Sequence, residues 1–155
     1  MTWEEFASGL AEELAGLPAG ALLVVSEPDE RGRYAQFFQG DAELVAYVVV
    51  NSWLPEPARA TPEGERAIAR AGWNEPLPPG HENWWRTLSW PASSRQYRDL
   101  ADSVVTALRD GYGIAGPDGW TYQAWNERTG DDLELPRLGL APASNEETPA
   151  EETKT

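Results

Sequence analysis

Few side chains in this sequence have the type and spacing needed for covalent or acid–base chemistry. His81 is the single histidine, set in Pro79-Gly80-His81-Glu82-Asn83, and there is no cysteine. A zinc site draws on several His, Cys or carboxylate ligands, so a lone His in a Pro/Gly loop reads as a surface residue. Without cysteine there is no thiolate nucleophile and no disulfide framework. Ser–His–Asp catalysis would have to recruit His81, yet no Gly-x-Ser-x-Gly elbow is present. No metal and no cofactor is expected.

One phosphate-binding pattern occurs by letter. Gly111-Tyr112-Gly113-Ile114-Ala115-Gly116 satisfies Gly-x-Gly-x-x-Gly. The dinucleotide fingerprint works only between a strand and a helix, where the phosphate meets the helix N-terminus. Here the pattern follows a helical stripe and runs into Pro117, which makes it a helix end and turn. Asp131-Asp132, Glu146-Glu147 and Glu151-Glu152 are adjacent acids in polar surroundings. Glycosidase chemistry needs two carboxylates whose environments separate their pKa values, and solvated neighbours do not meet that condition.

The elements that would position any site are better specified than the site itself. Thr2 with Glu5 forms a capping box, and Trp3, Phe6, Ala7, Leu10, Ala11 and Leu14 follow as one apolar stripe. Pro18-Ala19-Gly20 stops this helix. Ala21 to Ser26, Tyr34 to Gln39 and Glu43 to Asn51 read as three strands, with Gly40-Asp41 as a hairpin turn. The first and third are apolar at nearly every position and are expected to be central strands covered on both faces. Thr61-Pro62-Glu63 begins a second helix that carries Ala67, Ile68 and Ala71. Trp84 to Trp90 reads as a strand with Trp84, Arg86, Leu88 and Trp90 on one face. Ser93 with Gln96 caps a third helix, whose stripe runs from Tyr97 through Leu100, Val104 and Leu108 to Tyr112. Trp120 to Trp125 is a last strand.

Charge narrows the range of partners. The 155 residues carry 26 acids against 12 bases, a net charge of -14, and every base but Lys154 is arginine. No window holds a basic cluster, so nucleic acid and anionic membranes are excluded as partners, both of which require Lys/Arg-rich surfaces. The longest strongly apolar run, Leu44 to Val50, is far too short for a membrane span. Met1-Thr2-Trp3-Glu4-Glu5 has neither a charged nor an apolar leader region, so a reducing cytoplasm is the expected location. Arginine over lysine and the Ala/Gly/Pro-rich usage suggest a GC-rich genome.

Eight Trp, five Tyr and three Phe are the remaining unusual feature. Trp3 and Trp73 fall on or beside core stripes. Trp84, Trp85 and Trp90 cluster near prolines, and Trp53 sits at a strand end. Flat amphipathic rings of this kind can line a peptide groove or stack on a sugar ring, although core packing or loop anchoring is the commoner role of any single Trp.

In order, Trp3-x-x-Phe6, Leu17-Pro18-Ala19-Gly20-Ala21-Leu22-Leu23-Val24-Val25, Tyr34-Ala35-Gln36-Phe37, Val48-Val49-Val50-Asn51, Gly72-Trp73-Asn74-Glu75-Pro76, Asn83-Trp84, the Leu100 to Arg109 helix and Trp120-Thr121-Tyr122 form a pattern. Over about residues 2–127 it resembles the actinobacterial TY-Chap domain, a relative of YbjN proteins and type III secretion chaperones. Ala71 stands where the pattern has Leu before Gly-Trp, a small loss of core volume. The resemblance implies an α+β fold of order α-β-β-β-α-β-α-β, a curved antiparallel sheet packed against helices. It also implies a chaperone-like, peptide-binding role, in a class whose members are commonly homodimers.

The combined reading is one non-catalytic domain over residues 1–127, binding an extended or unfolded client segment. Residues 128–155 form an acidic Pro/Glu/Thr-rich tail, expected to be disordered at least from about 141. Candidate client-binding residues are Phe37, Tyr47, Trp53, Trp84 and Trp85. Two alternatives stay open, a small regulatory or structural subunit acting through homodimerisation and a carbohydrate-binding domain.

Overall fold

The computed structural model describes residues 1–29 and 31–143. Ser144–Thr155, on which most of the expected disordered tail falls, lie outside the described residues.

Three helices and a sheet follow in the expected order. Helix α1 spans Trp3–Ala15 and strands β1, β2 and β3 span Ala21–Ser26, Tyr34–Gln39 and Glu43–Val48. Helix α2 is Pro62–Arg70, β4 is Trp84–Ser89, α3 is Ser94–Thr106 and β5 is Thr121–Asn126. A sixth, two-residue strand, β6 at Ala141–Pro142, closes the series. The sheet order is β4-β3-β2-β1-β5-β6. Every pairing is antiparallel except β5 with β6, which is parallel. This is an α+β fold with a mostly antiparallel open sheet.

Both capping boxes are present. The Thr2 amide donates to the Glu5 carboxylate at 2.9 Å and the Glu5 amide donates back to the Thr2 hydroxyl at 3.1 Å. Ser93 and Gln96 exchange the same pair at 2.8 and 3.1 Å. Each box satisfies two amides that the first helical turn leaves without partners. The Gly-rich letters at 111–116 follow α3 and a π-helical turn, Ala107–Gly111, so they end a helix and do not open one. Where α2 meets that turn, a Cβ on Gly64 would overlap the carbonyl of Gly111.

Helices α1 and α3 pack against each other and cover one face of the sheet. Their stripes, including Phe6, Leu10, Leu14, Leu100 and Val104, share one core with Leu23, Val25, Phe37, Leu44 and Val48. A buried ion pair closes the β1–β2 connection. Arg33 meets Glu27 through two guanidinium hydrogen bonds of 2.8 and 3.0 Å, and a third guanidinium N–H donates to the Tyr112 carbonyl at 3.2 Å.

Two expectations differ from the structure. β1 and β3 are interior strands, but they are covered on one face only; their side chains alternate between buried and half-buried or exposed. The chain also keeps packing beyond 127. Leu135 and Leu138 are buried and Leu133 and Leu140 lie against the core. Leu133 donates its amide to Ala124 and Ala143 donates to Tyr122, so the segment lines the outer side of β5. Four leucines within eight residues supply enough apolar surface to offset the ordering entropy that the polar composition of the whole tail would not. Ala141 and Pro142, within the stretch expected to be disordered, are the β6 strand.

Candidate functional site

Side chains directly opposite in paired strands lie on the same face of a sheet. The register therefore assembles the uncovered face row by row. Trp125 pairs with Leu22, Leu22 with Phe38, Phe38 with Val45, and Val45 with Thr87. The adjacent row is Gln123, Val24, Gln36, Tyr47 and Trp85. Four contiguous apolar residues, from Trp125 to Val45, cross four strands, about 14 Å at the usual strand spacing. The apolar path then steps one row over to Tyr47 and Trp85. All of these apolar side chains are half-buried, and none belongs to the helix-covered core.

The five candidate residues separate by strand parity. Tyr47 and Trp85 face each other across β3 and β4 on the open face. Phe37 is fully buried among the helices, because it lies one residue from Phe38 and points the other way. It is a core residue. Trp84 likewise points to the covered side and is 5% exposed. Its ring nevertheless forms one wall of a cavity of about 420 Å³, with Val50, Pro62, Glu65, Ala69 and Glu75 among the other walls. Trp53 is 60% exposed on the turn after β3, its indole N–H donating to the Glu82 carbonyl at 3.4 Å. The structure thus brings Tyr47 and Trp85 together and leaves Phe37 out.

A third ring joins that pair. His81 stacks on Trp85 with ring centroids 4.2 Å apart and planes 13° from parallel. Its Nδ1 lies 3.0 Å from the Tyr47 hydroxyl oxygen. His81 is half-buried here, where sequence alone reads it as a plain surface residue. The indole is also fixed at its edge, because Trp85 Nε1 donates to the Glu75 carbonyl at 3.0 Å. Asn74 exchanges both backbone hydrogen bonds with Trp85, at 2.9 and 3.1 Å. Burial and the nearby charge of Glu43 push the Tyr47 hydroxyl above its ordinary pKa, keeping it neutral and able to donate or accept. Asn83 closes this end of the sheet. Its amide N–H donates to the Tyr34 hydroxyl and its carbonyl oxygen accepts from the Val50 amide, both at 3.1 Å.

In the core, Tyr112 donates its hydroxyl hydrogen to the Val49 carbonyl. Burial, aided by the charge of Glu65, pushes its pKa well above that of a free tyrosine. A second cavity, about 600 Å³, lies between α1 and α3 with Ser8, Glu12, Arg98 and Asp99 among its walls. Among the described residues no group of three or more His, Cys, Asp or Glu is placed to hold a metal ion. No helix among them is long and apolar enough to cross a membrane.

Sequence reasoning missed Leu22, Val24, Phe38, Val45 and Trp125. Their signal was the parity of the strands. In Tyr34-Ala35-Gln36-Phe37-Phe38-Gln39 the alternating faces are legible, but both carry an aromatic, and nothing local says which one the helices take.

A family model described as T3SS (YopN, CesT) and YbjN peptide-binding chaperone 3 matches residues 1–126. No curated protein and no solved structure matches the chain.

Proposed function

The chain belongs to the TY-Chap3 family of T3SS and YbjN peptide-binding chaperones, and from that membership we propose that it holds an extended or unfolded client segment on the open face of its sheet. The observation that carries this reading is the apolar row Trp125–Leu22–Phe38–Val45 on the face the helices leave uncovered. A soluble domain gains nothing by aligning four large apolar side chains on an uncovered surface unless something docks there. Binding is driven by apolar burial, and the Tyr47–Trp85 pair at one end supplies shape and polar selectivity. No bond is made or broken in the client, which is released chemically unchanged. Its net charge of -14 favours clients with basic flanks. We place the activity in the cytoplasm, where a cysteine-free chain gives nothing up to a reducing environment.

Selecting peptides on the full chain from a random display library tests this. A selected peptide should lose at least thirtyfold in affinity, about 2 kcal/mol, when Phe38 is replaced in Phe38→Asp. Unchanged affinity in a folded Phe38→Asp protein sinks the assignment. The same row offers one further reading, that two copies pair through it. Light scattering that finds a dimer dissociated by Phe38→Asp, with no peptide ever captured, would favour that second reading.

A further inference from the structure

The geometry points to the Trp85 indole as a stacking subsite for a client arginine, with His81 as a stand-in that the client displaces. This rests on the open face being the client surface. His81 covers the Trp85 ring at 4.2 Å and reaches the Tyr47 hydroxyl at 3.0 Å, the position of a planar, nitrogen-bearing group held by stacking and one hydrogen bond. What carries His81 is weakly held. The hairpin Leu77–His81 is closed by two backbone hydrogen bonds between those same two residues. Leu77 at its start is 60% exposed, and Gly80 before His81 has open space around it. Segments with so little buried apolar contact open at small cost. The platform beneath is firmly held, with Trp85 paired opposite Tyr47 of β3 and hydrogen-bonded to Asn74 and Glu75.

The chemistry of the displacing group follows from what surrounds the ring. Glu43 lies on β3 on the same face as Tyr47 and acts on its hydroxyl, and the chain as a whole carries a net charge of -14. Acidic surroundings and an indole face favour a cation, and a flat one stacks better than a point charge. A guanidinium meets both conditions, and its N–H groups can donate to the Tyr47 hydroxyl that now faces His81 Nδ1. Lysine has the charge without the plane, and citrulline the plane without the charge.

The test uses acetyl-arginine methylamide as probe against the full chain, following the Trp85 indole N–H and the His81 ring by NMR. The expected result is saturable movement of both signals, with the citrulline analogue inert and the lysine analogue weaker. His81→Ala, which removes the competitor, should tighten arginine binding about three- to tenfold. Trp85→Val should abolish it, with the indole signals of the other tryptophans reporting that the fold persists. Equal binding of citrulline, absent movement, or a His81→Ala protein that binds no better overturns the proposal. If a display-selected peptide still depends on Phe38 in that case, the arginine subsite alone falls and the open-face reading stands.

Discussion

Phe37 and Phe38 are neighbours in the chain and face opposite sides of the sheet, Phe37 fully buried under the helices and Phe38 half-buried in the open apolar row. The two positions separate what holds the fold from what the fold presents. Phe37→Ala should cost about 3–5 kcal/mol by cavity formation in a packed core. Phe38→Ala should cost about 1 kcal/mol or less, because its side chain is only half-buried and lies outside the helix-covered core. Urea unfolding monitored by tryptophan fluorescence measures both. Equal losses would mean that the face treated as open is packed.

Glu27 and Arg33 are a second pair with a clear expectation. Both side chains are more than nine-tenths buried, and the contact is bidentate. Removing one partner strands the other charge away from water, so Glu27→Ala should destabilise by about 3–5 kcal/mol. Glu27→Ala combined with Arg33→Met should recover part of that loss, since no charge is then buried alone. The denaturant midpoints of both variants decide it.

Gly9 ties the segment after β5 to the first helix. A Cβ at this position would overlap the backbone carbonyl of Arg137. Since Glu13, one helical turn on, accepts the Arg137 amide at 2.6 Å, the strand of chain cannot shift without losing that bond. Gly9→Ala should therefore loosen residues 131–143, costing about 1–3 kcal/mol. Hydrogen exchange at the Leu133 and Ala143 amides, which bond to β5, should quicken while the β1–β2 amides stay protected.

Tyr112 sets an alkaline limit. The folded protein holds its phenol proton more tightly than the unfolded chain, whose tyrosine titrates near 10. Its contribution to stability is thus complete below about pH 10 and is lost as pH rises above it, with a limiting slope of about 1.4 kcal/mol per pH unit. Tyr47 adds the same sign. Urea midpoints between pH 8 and 11 should fall beyond 10 in the native protein. The fall should be shallower in Tyr112→Phe, although that variant starts from lower stability.

The helices and strands were legible because each is written locally. Thr2/Glu5 and Ser93/Gln96 fix helix starts by hydrogen bonds among four residues, and the stripes after them repeat at helical spacing. The site was legible only in part. Tyr47 and Trp85 stand out by residue type, and their cross-strand pairing follows once β4 docks on β3. Which of Phe37 and Phe38 faces the helices depends on the docking of α1 and α3, a long-range choice with no local trace. His81 lies 34 residues from Tyr47 in sequence, and its contact with that side chain exists only because the hairpin folds back. Leu133, Leu135, Leu138 and Leu140 lie in the stretch read as part of the acidic tail, and the core surface they pack on is brought to them only by the fold.

The open sheet face is most directly tested by methyl NMR of the full chain with a display-selected peptide. Leu22, Val24 and Val45 lie on the open face, and their neighbours Leu23, Val25 and Leu44 lie under the helices, so adjacent residues control for one another. Intermolecular contacts are expected from the peptide to the methyls of Leu22, Val24 and Val45, and none to those of Leu23, Val25 and Leu44. Contacts confined to the α1–α3 groove beside Ala11 and Ala15, with the open-face methyls unmoved, would contradict it.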